Sequence, residues 1–469
     1  MKKLLFAAVC ILLQAAACVF CVALAETEYA MTAVYLEDEQ ALSVSLDVRY
    51  DNETGQALDG VTFNLFANLF RRESTLPYDN KTLTEAFPFG YAPSGIEFTS
   101  VRCGGAPARY SFMGTGENFM RVTCSLEPGQ RAEFHFDYTL LLSQNRAFQG
   151  CGDDVRLLLF YPSVCVWDEG YVLEPASRAA WFLYAEKADF DLTLYLPEGY
   201  GLCSGADIQR LSGKDGYDRY QLTLKDATEL GIVASRRFYT YEGALPSGHT
   251  VRVCGNNRSK CKNALRQAVS ALTACEAWFG PLPYAKTDIA LSTCCQDLSL
   301  PGLIVANENA ENIVLRTLCA RQYFGCAVVT DPDTDPFLSY GVSCYAALLS
   351  LKREKGEKAF RDEMIRYIQP ALKMTVPGSL TPDSRLSRFG TVYDFDVVVI
   401  RRGAAVLHEI CLAMGEENFL AALGRYYEAG QNGICTIEDF AKSLGGYGEA
   451  LVAWLMTIDD YAQHEGDIY

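Results

Sequence analysis

The feature that most constrains this chain is a change of hydrophobic period near residue 245. Before it, apolar and polar residues alternate. Leu42, Val44, Leu46, Val48 and Tyr50 share one face, as do Ala132, Phe134, Phe136, Tyr138 and Leu140. Phe190, Leu192, Leu194 and Leu196 repeat the pattern up to Pro197, and Tyr220, Leu222 and Leu224 form another run. Period two is the mark of half-buried strands, and turn pairs such as Asp51-Asn52 and Pro128-Gly129 separate them. With no helical stretch between these runs, residues 26–245 are predicted to form an antiparallel β-sandwich or saddle. His135 falls opposite Phe134 and Phe136 and is expected at the surface.

After residue 245 the period becomes 3.6. The spacing predicts helices over 262–279, stopped by Gly280-Pro281, and over 313–324, 337–355, 403–414 and 417–429. Thr436 with Asp439 three residues on reads as an N-cap opening one more. Short strands are expected at 287–292 and 303–305, so residues 246–469 form a mainly helical domain with a small sheet.

Composition narrows the function. The 469 residues carry 41 Lys and Arg against 58 Asp and Glu, a formal charge of -17, which argues against nucleic-acid binding. Aromatics are 12% of the chain, far from the composition of a disordered segment. The apolar run from Leu4 to Ala25 after Lys2-Lys3, ending Ala23-Leu24-Ala25, reads as a signal peptide, with an uncleaved anchor as the alternative. The protein is therefore expected to be exported, secreted or held at the envelope, touching a membrane only through an uncleaved leader. Fifteen of the 18 Cys lie beyond residue 25, and an odd number leaves at least one thiol unpaired. Cys103/Cys124, Cys151/Cys165 and Cys254/Cys261 are the local pairs that spacing allows. Asn52, Asn80 and Asn257 each open an Asn-x-Ser/Thr triplet, which chance alone supplies often. Asp331, Asp333 and Asp335 begin like a calcium loop but lack its Gly and final Glu, so an exposed loop is expected.

Several short motifs then fall in a telling order. Tyr161-Pro162 and Leu196-Pro197-Glu198-Gly199 stand in the β half, and Phe279-Gly280-Pro281-Leu282-Pro283-Tyr284 opens the helical half. Pro301-Gly302-Leu303, Gln322-Tyr323-Phe324-Gly325, Phe337-Leu338-Ser339-Tyr340-Gly341 and Gly403-Ala404 follow. Their order and spacing resemble the aminopeptidase N and leukotriene hydrolase family of gluzincin zinc peptidases. That resemblance implies an N-terminal β domain followed by a thermolysin-like domain with a cleft between them.

It also implies a zinc site whose chemistry this chain lacks. The family's His-Glu-x-x-His puts two imidazoles one helical turn apart, with the Glu as general base. Anchored on Gln322-Tyr323-Phe324-Gly325, those five positions read Thr317-Leu318-Cys319-Ala320-Arg321. Nineteen residues beyond Arg321, where the third ligand is implied, stands Tyr340. The amine-binding Glu falls on Ser299 and the oxyanion-stabilising Tyr on Ile400. Arg cannot lose its proton to become a ligand. Only four His occur, and His408-Glu409 is followed by Leu412 where a second His would be needed. Cys319 and Cys344 could join only in a soft-metal site, against which helical geometry turns Cys319 away from Thr317.

The expectation is a pseudopeptidase with no catalytic residue, no metal ligand and no cofactor. It would bind a peptide or envelope-protein partner, in an oligomeric state the sequence leaves open, with Ser299, Thr317, Leu318, Arg321, Tyr340 and Ile400 marking the vestigial cleft. An active zinc aminopeptidase with other ligands and a purely structural envelope protein are the alternatives. An open cleft reaching Arg321 would suit a carboxylate, whereas a filled one would make Arg321 structural.

Overall fold

The computed structural model describes residues 27–173, 177–180, 184–431 and 433–456. The leader, on which the expected export signal rests, lies outside the described residues.

The alternating runs become long strands. Strands β1 (Thr27–Leu36), β2 (Ala41–Asp51), β3 (Leu58–Asn64), β4 (Gly95–Cys103), β5 (Ala106–Pro107), β6 (Tyr110–Met113), β7 (Phe119–Leu126) and β8 (Arg131–Leu141) come first. They are followed by β9 (Val155–Leu157), β10 (Ser163–Val164), β11 (Ala188–Pro197), β12 (Gly201–Ser204), β13 (Asp207–Lys214), β14 (Tyr217–Ala227) and β15 (Ile232–Ser235). An eight-stranded sheet in the order β13-β14-β11-β1-β2-β8-β4-β5 faces a four-stranded sheet, β10-β3-β7-β6, and a three-stranded sheet, β12-β15-β9, joins them. Pairing is antiparallel except between β1 and β11, which run parallel. The parallel step was not legible as such, because period two marks a strand's faces and not its direction. Leu42, Val44, Leu46 and Val48 of β2 are buried with Phe134 and Phe136 of β8 in the sheet core. His135 is partly exposed on the other face, between Asp47 and Asp137 at 2.7 and 3.0 Å, and those carboxylates raise its pKa.

The helical half is built on a five-stranded sheet ordered β16-β17-β18-β20-β19. Its strands are β16 (Tyr239–Ala244), β17 (Thr250–Gly255), β18 (Lys286–Ser292), β19 (Leu298–Leu300) and β20 (Leu303–Asn307). The short helix α1 (Asn80–Ala86) belongs to the β half; α2 (Arg258–Phe279) and α3 (Asn312–Arg321) pack on this sheet, and α4 (Pro336–Lys355), α5 (Gly403–Met414) and α6 (Glu416–Gly430) form a further layer packed against these helices and one another. Helix α2 starts where the Asn257 side chain accepts from the amides of Ser259 and Lys260, and stops at Gly280. Thr436 and Asp439 form the expected capping box over Ile437–Ser443. Helix α3 stops at Arg321, and the chain continues as a wide π turn, Gln322–Ala327, rather than as the longer helix predicted from the apolar spacing.

Buried polar bonds join the halves. The Asp288 carboxylate in β18 accepts from Ser204 N at 3.0 Å and from Lys286 at 2.9 Å, and also pairs with Arg252. Asp154 accepts a bond of 2.5 Å from Ser292. An apolar cluster that includes Phe70, Phe148, Leu158, Cys203, Cys254, Ala290 and Leu298 fills the seam.

All fifteen Cys are free thiols. The spacing pair Cys254/Cys261 is not the only neighbourhood of Cys254, because its thiol also bonds Cys203 across the seam, a contact that no local spacing could announce. The Asp331–Asp335 segment departs from the exposed loop expected of it. Asp331 caps the turn by accepting from Asp333 N and Thr334 N, and Asp333 is 6% exposed and accepts from Ser387 N. Its carboxylates serve backbone amides, so the segment is buried as a turn. Asn52 is fully buried, with Nδ2 donating to the carbonyls of Gln56 and Leu126, so that triplet is structural.

Candidate functional site

The site lies where α3, α4, β19 and the 392–402 segment meet α1 of the β half. Gln322 sets the register of α3 against the sheet. Its Nε2 donates to Ser299 Oγ at 2.7 Å and to Leu300 O at 2.9 Å, while its Oε1 accepts from Gly302 N at 3.0 Å. Ser299 Oγ donates to Leu318 O at 3.0 Å. A buried amide with three partners is a rigid tie, because losing any one strands a polar group away from water. Gly325 lets the π turn press against α4: a methyl group there would sit 2.3 Å from Ser339 Oγ.

A cavity of about 390 Å³ opens beside this tie, a size that suits a small ligand. Thr317, Leu318, Arg321, Tyr340 and Ile400 all line it. Ser299 lines a separate cavity of about 70 Å³, which shares Arg321 and Tyr340 with the larger one. Leu298 is common to both spaces as well. The guanidinium carbon lies 3.9 Å from the Tyr340 ring centroid, and the ring in turn meets Phe395 edge-on at 4.9 Å. Arg321 is 8% exposed, its Nε is buried without a partner, and among the described residues its guanidinium makes no ion pair.

The other positions are committed. Thr317 Oγ1 donates to Ile313 O at 2.9 Å, and its side chain also hydrogen-bonds the Cys344 thiol. Leu318 packs into the helical core, and Ile400 lies partly buried on the turn Asp396–Arg402. A hydroxyl bound to its own helix, a guanidinium and a phenol ring under that guanidinium do not form a zinc donor set. Among the described residues no group of three or more His, Cys, Asp or Glu could hold a metal ion. His408 sits away from the cavity wall, its Nδ1 3.0 Å from Tyr345 Oη, and burial lowers its pKa to about 4, so it stays neutral. Cys319 and Cys344 are fully buried, and burial pushes both thiols up.

Several lining residues were not legible from the sequence. Asp79 caps α1 by accepting from Thr82 N at 2.7 Å, and its other oxygen accepts from Val392 N at 3.4 Å, which joins the β half to the far wall. Asp396 pairs with Arg401 and accepts from Tyr367 Oη at 3.1 Å. Gln296 Oε1 is buried with no partner, and Asp297, whose pKa burial raises, accepts from Asn307 N at 2.6 Å. The Asp at the start of α1 is readable as an N-cap, but nothing local says that the cap roofs a cavity.

No protein-family model matches the chain, and no characterised sequence does. Solved structures do match. The M1 zinc metallopeptidase of Deinococcus radiodurans superposes with a TM-score of 0.65 over 92% of each chain, at 15% identity. A mutant of that enzyme bound to a Tyr-Ser-Ala substrate gives 0.66 over 92% of this chain and 95% of that one, at 15% identity. A mutant two-domain M1 zinc metallopeptidase bound to L-arginine gives 0.65 over 92% and 93%, at 17% identity. The fold is that of the M1 metallopeptidases. At such identities the likeness carries the architecture, a β domain followed by a helical one, and leaves the chemistry to the residues in place.

Proposed function

We propose that this chain is an exported, non-hydrolysing relative of the M1 peptidases that uses their interdomain cleft to bind peptides. The observation that carries this reading is one cavity of about 390 Å³ lined by Thr317, Leu318, Arg321, Tyr340 and Ile400. Its walls hold no general base where Leu318 stands and no phenol where Ile400 stands. Peptide hydrolysis needs an activated water and a group to stabilise the oxyanion, and these positions supply neither. Retention of the open cavity favours binding over a purely structural role, for which a filled cleft would serve. No helix among the described residues is long and apolar enough to cross a membrane, so any anchoring would rest with the leader or with helix-independent contacts.

The test combines elemental mass spectrometry of the purified protein, without added zinc, with assays on aminoacyl and tripeptide substrates. The expected result is substoichiometric transition metal and no turnover, together with saturable binding of short peptides. Stoichiometric zinc with turnover would overturn the reading, as would an absence of any peptide binding at millimolar concentrations.

A further inference from the structure

The Arg321–Tyr340 stack gives the cavity a polarity. With its guanidinium carbon 3.9 Å over the Tyr340 ring centroid, Arg321 has one side covered by the ring, and its N–H donors lie in the guanidinium plane. An acceptor must then approach edge-on, the geometry of a two-pronged carboxylate. Arg321 is more than nine-tenths buried, is without an ion pair among the described residues, has an unpartnered Nε, and lines both cavities. A buried charge in that condition is costly until an anion arrives.

The remaining wall selects which anion. Asp79, Glu85, Asp297 and Asp396 also line the cavity, against Lys81 as its other cation. Asp79 is engaged by backbone amides and Asp396 by Arg401, so neither competes for Arg321. Their collective charge disfavours a phosphate or any polyanion and tolerates a single carboxylate. Leu298, Leu318 and Phe395 offer an apolar surface for a side chain.

We propose that the cavity holds short peptides by their free C-terminal carboxylate, with Arg321 as the anchor. The inference rests on the peptide-binding reading above and goes further by fixing which end of the ligand is recognised.

Calorimetric titration of the full-length protein with the tripeptide Ala-Leu-Phe, its C-terminal amide and its N-acetyl form tests the inference. Amidation should weaken binding about tenfold or more, the effect of losing a charge-assisted pair, while acetylation should change it by less than about threefold. Arg321→Met should abolish the difference between acid and amide, and Arg321→Lys, which keeps the charge without the fork, should restore part of it. Matching melting curves for the three proteins establish that folding is intact. Equal affinity for acid and amide, or a loss on acetylation alone, would overturn the inference while leaving a peptide-binding cleft. Failure of all three peptides to bind the unsubstituted protein would remove both readings.

Discussion

Three buried arginines illustrate opposite uses of the same side chain. Arg156, in β9 at the seam, is fully buried and has all three guanidinium nitrogens engaged. Nε donates to Ala147 O at 2.6 Å, Nη2 to Asn145 O at 2.5 Å, and Nη1 pairs with Asp154. Arg316, one turn before the site, is likewise held by Asn312 and Ser350, both at 3.1 Å, and by Glu354. Arg321 has only an aromatic ring beneath it and space in front. A buried guanidinium that is part of the scaffold is satisfied by that scaffold. One that is left incomplete beside a cavity is incomplete toward something that enters it.

That contrast can be broken by experiment, starting where the effect is largest. Arg156→Ala should cost about 5 kcal/mol, because it strands Asp154 and two carbonyls in the seam. Urea denaturation followed by far-UV circular dichroism measures it, and a cost below about 1 kcal/mol would mean that Arg156 is no more scaffold than Arg321.

A second test concerns Glu229, a buried carboxyl that shares the smaller cavity with Arg321 and accepts from Leu159 N at 3.1 Å. Burial pushes its pKa up to about 8, from 4.5 in the unfolded chain. Between those values the folded state keeps a proton that the unfolded state has lost, so stability falls as pH rises from 4.5 toward 8. Glu229→Gln should therefore match the parent near pH 4.5 and be more stable above pH 8, by on the order of 5 kcal/mol at most. Destabilisation by the substitution at high pH would instead make Glu229 the counter-ion of Arg321 and close the gap between the two arginines.

The smallest effect belongs to Arg321 itself. Arg321→Met should shift stability by no more than about 1 kcal/mol, since the lost ring contact is offset by removal of an unpaired buried charge. A loss of several kcal/mol in the same denaturation experiment would mark it as structural.

Much of this architecture was legible before any coordinates. Alternation placed β2, β8, β11 and β14, and the 3.6 period with its caps placed α2 and α4 to α6, because hydrophobic period and cap chemistry are local properties. Motif order singled out Thr317, Arg321 and Tyr340, which have no chemistry of their own to mark them, and the structure places all three on the wall of one cavity. The parallel pairing of β1 with β11, the π turn after Arg321 and the burial of Asp333 were not. Each depends on which distant segment lies alongside.

By itself, then, the sequence determined the order of the two halves and most of their secondary structure. Tertiary structure alone decided that the Arg321 guanidinium lies over Tyr340 with no ion pair among the described residues, that Asp79 and Gln296 come from distant segments to complete the wall, and that the space between them stays open. The physical reason is range. Period and capping act over a few residues, whereas the partner of a buried charge and the emptiness beside it are set by how whole layers pack.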